Sequence, residues 1–442
     1  MGAFSWLTWG AAQEELSTRL SDPTQALWSP AELQLYLAYA MRVFSAYTQF
    51  WLVDYAFDLT PPFATNFFQA NGPGSPRQQT QTDINLYTMM EYMLMEPPSG
   101  GTWTGTNQFN IADLAQAVQG RRDESLQIGA TNLAQIILPI TPGTSTVTLP
   151  DNTLDVLRVR YVPATGLGTA QALQRGDKES FRVFTPSYLQ TVAAPLRWDV
   201  ITGPPLVLTL DTMTPVPASL QIVVMQAEAV PDPPAATPLG IPDDWTWVPL
   251  FGALADVLSG QEEAKDLQRA EYCRKRYLEG ISLLRAAPWL LKARITGVAV
   301  DVTSLVSKDR FDFDWQNNAT AFPQIVAAGM DLYAVSPVPT VPTSVLLVVA
   351  GNAPIPTSNT QDIQVPRDVM DAILDEAQHL ATFKLGGAEF AATMVLHQSF
   401  LGTVERWVSR IRASGIFPTT LRSPVSLSDK QQPRFEAPEG NR

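Results

Sequence analysis

The chain has 442 residues, 45% hydrophobic and 17% charged, a globular composition long enough for roughly two to four compact units. A formal charge of −13 argues against general nucleic-acid binding and leaves room only for a local basic patch. A single cysteine, Cys273, excludes an intrachain disulfide or a CxxC metal site, and no apolar run is long enough to span a bilayer. The N-terminal stretch "MGAFSWLTWGAAQEE" precedes the first basic residue, Arg19, so a secretory n-region is missing, and Trp6 breaks the myristoylation pattern. The reading is a soluble protein made in the cytoplasm.

The first element is a helix over 30–57. Ser29 is a good N-cap, Pro30 suits the first helical position and Glu32 completes a capping box. Leu33, Tyr36, Leu37, Ala40, Phe44, Tyr47 and Trp51 recur at helical spacing, while Leu35, Tyr39, Val43 and Phe50 fill the other faces. A helix apolar around most of its circumference is buried on several sides or lies between subunits. A Pro/Gly/Asn-rich connection near 60–80 leads to a second helix within 80–97, stopped by Pro97, and a turn-rich linker to a third near 110–129.

The character then becomes β. Strands are expected at 145–150, 154–162, 205–211 and 219–225, with Leu157, Val159 and Tyr161 on one face of the second and Arg158 and Arg160 on the other. A helical hairpin follows, with Pro242 before Trp247, a stop at Ser259-Gly260, and a second arm over 262–284. The plan then recurs. Trp198, "TPVPASLQIVVM", Ile241-Pro242, a helix, Gly260 and a helix are echoed by Trp315, "SPVPTVPTSVLLVVAG", Val365-Pro366, a helix, Gly386-Gly387 and a helix. The spacing from P-V-P to the helix-starting proline is 25 residues in one copy (217 to 242) and 27 in the other (339 to 366).

The whole reads as an α+β chain. Its expected parts are a helical bundle (1–131), an antiparallel β-sandwich or barrel (132–240), a helical hairpin returning to the bundle (241–287), a second β domain (288–360), a second hairpin (361–413) and an extended Pro/Ser-rich tail (414–442).

Few residues offer chemistry. The two histidines, His379 and His397, sit among Leu380, Phe383, Val395 and Phe400, and neither has a metal-ligand partner at helical spacing. Asp312 and Asp314 in "RFDFDW" are expected on the solvated face of a strand whose Phe311, Phe313 and Trp315 point inward. The basic run Arg274-Lys275-Arg276 reads as a solvated helix face balanced by Glu262, Glu263 and Glu271. Cys273 reads as an inert buried thiol. No GxSxG, Walker, GxGxxG or HExxH motif occurs, so no enzyme activity, cofactor or metal is expected.

The segment "RLSDPTQALWSPAELQLYLAYAMRVF" resembles the opening of tailed-phage head-to-tail adaptor proteins, the family that includes podovirus tail tubular protein A. "LPDNTLDVLRVRYV", "GPPLVLTL", "LQIVVM" and "IPDDWTWVPLFGALADVLSG … AEYCRKRYLEGISLL" continue it in order over 19–287. The resemblance implies a virion protein at the head–tail junction: a homo-oligomeric, dodecameric ring seated between portal and tail nozzle. Double-stranded DNA would pass transiently through its channel. It implies that Leu37, Phe44, Tyr47 and Trp51 face a neighbouring subunit, and that the tail, through Phe417, Leu421, Arg434 and Phe435, docks on the portal or clasps a neighbour. Residues 288–413 exceed the short family members and are expected to enlarge the ring or carry tail fibres. The alternative is a tail-associated fibre-attachment, receptor-binding or cell-wall-active protein.

Overall fold

A computed structural model describes residues 6–413, apart from 60–66, 70–74, 76, 104–107, 178, 180, 182, 184–186, 188–189, 202, 204, 232–234, 261–264, 287–289 and 318–321. The expected tail and its Phe417, Leu421, Arg434 and Phe435 lie outside the described residues. The chain opens with a short strand β1 (Leu7–Thr8), helices α1 (Trp9–Arg19) and α2 (Pro30–Thr48), and strands β2 (Leu52–Leu59) and β3 (Phe67–Gln69). Helices α3 (Asp83–Met93) and α4 (Ile111–Gly129) lead into seven strands: β4 (Leu133–Ile140), β5 (Thr146–Thr148), β6 (Thr153–Pro163), β7 (Gln171–Arg175), β8 (Arg197–Ile201), β9 (Val207–Leu210) and β10 (Ala218–Gln226). Helices α5 (Trp247–Leu258) and α6 (Leu267–Ala286) form the first predicted hairpin. Then come β11 (Leu290–Ile295), β12 (Val298–Ser304), a short α7 (Leu305–Phe311), β13 (Gln324–Ala327), β14 (Leu332–Ser336), β15 (Thr343–Ala350) and β16 (Asp362–Ile363). The second hairpin is α8 (Arg367–Thr382) and α10 (Met394–Ala413), with a short α9 (Gly387–Ala392) between them. The fold is α+β.

The duplication seen in the sequence is real and larger than expected. One sheet runs β4-β10-β6-β7-β8-β9-β5 and the other β2-β15-β11-β12-β13-β14-β3. Matched position by position, every neighbouring pair is antiparallel except β7/β8 and β12/β13, which are parallel in both. Both sheets carry a bulge at the same rung, skipping Leu157 in one and Leu291 in the other. Their inner faces fill with matching residues: Val156, Trp198, Leu208 and Ile222 in one barrel-like core, Leu290, Ile325, Tyr333 and Leu347 in the other. The Trp/Leu pair of one core becomes Ile/Tyr in the other, keeping one aromatic ring but moving it to a different strand.

The helices repeat as well. Ser21 and Met95 each take a left-handed conformation just past the first helix of their pair. The next carboxylate, Asp22 or Glu96, then accepts backbone N–H groups of the segment entering the second helix: Ala26, Leu27 and Trp28 in one case, Gln108 and Phe109 in the other. Both second helices end on a left-handed residue, Gln49 or Ala130. The first residues of α1 and α3 donate to Gln361 and Thr237, each at 2.9 Å. Each repeat is therefore a helix pair, a seven-stranded sheet and a helical hairpin. One repeat, residues 82–286, is inserted into the other between β3 and β11; we call them the inserted and the outer unit.

This arrangement corrects several expectations. The helix from 30 stops at Thr48, because "LVDYAFDL" alternates: Tyr55, Phe57 and Leu59 line the outer barrel core while Asp54, Ala56 and Asp58 are exposed. Residues 1–131 are not one bundle, because β2 and β3 complete the sheet assigned to 288–360, while α3 and α4 belong to the inserted unit. Trp198 matches Ile325 rather than Trp315, and Pro217 matches Pro342 rather than Pro339, since these residues hold the same register positions. The bulge turns Leu157 away from Val159 and Tyr161.

Candidate functional site

A cluster of polar side chains is buried where the two units' helices meet. Arg276 on α6 comes from the inserted unit; Glu376 on α8 and His397 on α10 come from the outer one. Arg276 donates from Nη2 to Glu376 Oε1 at 2.8 Å, and His397 Nδ1 lies 2.7 Å from Glu376 Oε2. A guanidinium can only donate, so the 3.2 Å contact between Arg276 Nη1 and His397 Nε2 makes that nitrogen an acceptor and Nδ1–H the donor to the carboxylate. The guanidinium also lies over the rings of Trp247 and Phe251. Burial alone raises the Glu376 pKa, but the adjoining His397 and Arg276 outweigh it and hold the group at about 2.

His379 stands beside this trio, its ring stacked on that of His397. Thr393 Oγ1 donates to the Phe390 carbonyl, so it accepts from His379 Nδ1–H, leaving Nε2 to accept from Tyr272 OH, both at 2.9 Å. Burial dominates its titration and lowers the pKa to about 3, so the ring stays neutral. All four imidazole nitrogens are occupied by protein partners, and no cluster of three or more His, Cys, Asp or Glu able to hold a metal occurs among the described residues. Cys273 is fully buried, and burial raises its thiol pKa so that it stays protonated. What these groups do is lock α6 against α8 and α10 in one register.

The barrels meet through a second, apolar seam. Leu133, Val223 and Met225 from the inserted unit pack on Phe67, Val326, Leu332 and Trp315 of the outer one. Each fully buried aliphatic or aromatic side chain there contributes roughly 1.5–3 kcal/mol. Arg158 crosses the seam, lying over the Trp315 ring, meeting Asp309 at 3.2 Å and donating to the Phe313 carbonyl at 2.9 Å. Gly329 sits at its rim, where a Cβ would come within 2.4 Å of the Ala130 carbonyl oxygen and 2.6 Å of Leu133.

Placement of the predicted residues is mixed. Leu37 and Phe44 are fully buried in the chain's own helical core, so their side chains have no surface to offer a neighbouring subunit. Tyr47 stacks on Trp247 of the inserted unit with ring centroids 6.0 Å apart, and Trp51 packs edge-on against Phe44 and Phe50. The two-sided burial expected of this helix comes from within the chain, α1, α8 and α10 of its own unit covering one side and the inserted unit's 243–258 segment the other. "RFDFDW" is no strand: α7 ends at Phe311, which is exposed, and turns follow, so Asp312 and Asp314 do not share a strand face. Trp315 is buried as expected. The basic run splits, Lys275 pairing loosely with Glu271 on the surface while Arg276 is buried.

Glu376 went unnoticed in the sequence although a signal existed. A carboxylate between Ile373 and Leu380 on the apolar stripe of a helix calls for a buried cation. Two other buried carboxylates, Asp244 and Asp331, are pushed up to about 7, chiefly by desolvation. Asp331 lies 3.9 Å from Arg77 and accepts from Gln79 at 3.2 Å, near the point where the chain passes from the outer unit into the inserted one. The sequence matches no protein-family model and no curated protein.

Proposed function

We propose that this protein is a structural component of a tailed-phage neck, a ring-forming adaptor that joins portal to tail nozzle and leaves a channel for double-stranded DNA. The observation that carries the reading is the repeated unit: a helical bundle continued into a barrel, present twice in one chain and packed side by side. That build suits stacking around an axis, with bundles in one tier and barrels in another, and it accords with the ordered resemblance over 19–287. Residues 288–413 supply most of the outer unit, and in this reading they enlarge the ring or carry its fibres. The portal would meet one tier of the ring and the nozzle the other, with tail fibres reaching the rim. A net charge of −13 is compatible with DNA passing through such a channel. No described helix is long and apolar enough to cross a membrane.

A cryo-EM reconstruction of particles from the source tests this reading. Ring density for this chain directly beneath the portal is the expected result. Density at fibre tips or baseplate periphery, or absence from the particle, refutes it.

A further inference from the structure

The contact between the two units is heterologous. The inserted unit presents the outer face of β4-β10-β6, and the outer unit presents that of β13-β14-β3. Because both sheets have the same strand order, these are two different faces of one architecture. A two-fold contact would use one face twice and end at a pair; a contact between unlike faces leaves one of each kind over and continues. The faces left over are β2-β15-β11 on the outer unit and β5-β9-β8 on the inserted one.

On the first of these, Leu52 holds the position of Leu133 and is 39% exposed, and Lys292 and Arg294 hold the rungs of Arg158 and Arg160. On the second, Ile201 holds the position of Ala328 and is 38% exposed, and Asp199 holds that of Val326. The first face also carries Asp54 and Asp58, exposed on β2, and the second carries Arg197 beside Asp199, so both faces bear charges of both signs. Both faces are more polar than the seam inside the chain, as befits surfaces that meet water before they associate.

We infer that copies of this chain assemble head to tail, the β2-β15-β11 face of one chain seating on the β5-β9-β8 face of the next. Between chains this contact repeats the one that already joins the two units within a chain, so the assembly is a continuous series of units. Closure into a ring rests on the neck reading above; the pairing of faces does not. Each chain brings two units, so a ring of twelve units closes with six chains rather than twelve.

Cysteine cross-linking tests the pairing directly, because Cys273 is buried and inert. Leu52→Cys and Ile201→Cys are introduced together and singly into the full chain, and a short bismaleimide is added to concentrated protein. The double variant is expected to give a ladder of covalent oligomers. Each single variant alone should give none, and a mixture of the two singles should give dimers only. Lys292→Glu combined with Arg294→Glu, both exposed, should abolish the ladder while leaving the melting temperature unchanged. Cross-linking of Leu52→Cys alone, or a monomeric native mass with no cross-link in any preparation, overturns the inference. Neck density without a Leu52–Ile201 bridge would sink the face assignment alone, whereas a ladder from a chain absent from the neck would sink the adaptor reading alone.

Discussion

Replacing Glu376 with Leu strands Arg276 in the core. The guanidinium is essentially buried, and its closest carboxylate is the Glu376 oxygen at 2.8 Å. Unit charges about 4 Å apart attract by about 4 kcal/mol at an effective dielectric of about 20. Breaking such a pair from one side leaves an uncompensated buried charge at a cost of about 3–5 kcal/mol. Arg276→Met should cost a similar amount, since it leaves the carboxylate with His397 alone. The double variant, Arg276→Met with Glu376→Leu, removes both charges and fills the space with apolar atoms. What remains is His397 without its two partners, a penalty of about 1–3 kcal/mol, and Glu279, which loses its 3.8 Å contact with Arg276. The double variant should therefore be more stable than either single one, and should fall at least about 3 kcal/mol short of the summed single costs. Chemical unfolding followed by tryptophan fluorescence reads this directly, because Trp247 lies against the guanidinium. Hydrogen exchange on α6 and α8 gives the local counterpart. Additive single costs, or a double variant weaker than both singles, would refute the view that one coupled ion pair holds the two hairpins together.

Leu37→Asp places a charge in a fully buried site and should destabilise the isolated chain by more than about 4 kcal/mol, seen as a lost or lowered melting transition. A normal melt with only assembly impaired would restore the subunit-facing role for this residue. Asp331 has its pKa raised from 3.8 to about 7, so its stabilising contribution is present below the lower value and lost as pH rises through the upper one. Asp331→Asn should accordingly raise the melting temperature at pH 8 and change it little at pH 4; equal effects at both would contradict the buried, costly carboxylate. His379 and Glu376 act in the opposite sense, their pKa values lowered from 6.5 to about 3 and from 4.5 to about 2. The part of stability they supply should fade as pH drops from 6.5 toward 2, and His379→Phe should flatten the upper part of that acid limb in a melting-temperature titration. Gly329→Ala drives a methyl into the Ala130 carbonyl at the seam and should cost about 1–3 kcal/mol, with faster hydrogen exchange in β4 and β14; an unchanged melt would mean the seam can shift.

Several local features were legible in the sequence. The start of α2 follows from Ser29 and Pro30, whose side chain and ring act on residues within one turn. The alternation in β6, β9 and β10, and the Pro-started helices of both hairpins, likewise depend on neighbours in the chain. The recurrence of "PVP … helix, glycine, helix" disclosed that something was duplicated, although its register was three residues off in the second copy. The alternation in "LVDYAFDL" was also present, but it was hidden behind an apolar helix that gave no Pro or Gly to mark its end.

The tertiary structure alone decided which strands pair. β2 bonds to β15 nearly three hundred residues along the chain, so no local pattern could show that one unit is inserted into the other. It also decided which polar residues are buried together. Arg276, Glu376 and His397 lie on three separate helices, and their meeting depends on how two bundles dock. The same docking settled what covers the apolar faces of α2. Periodicity states that a face must be covered but not by what, and here Leu37 and Phe44 are covered by their own chain.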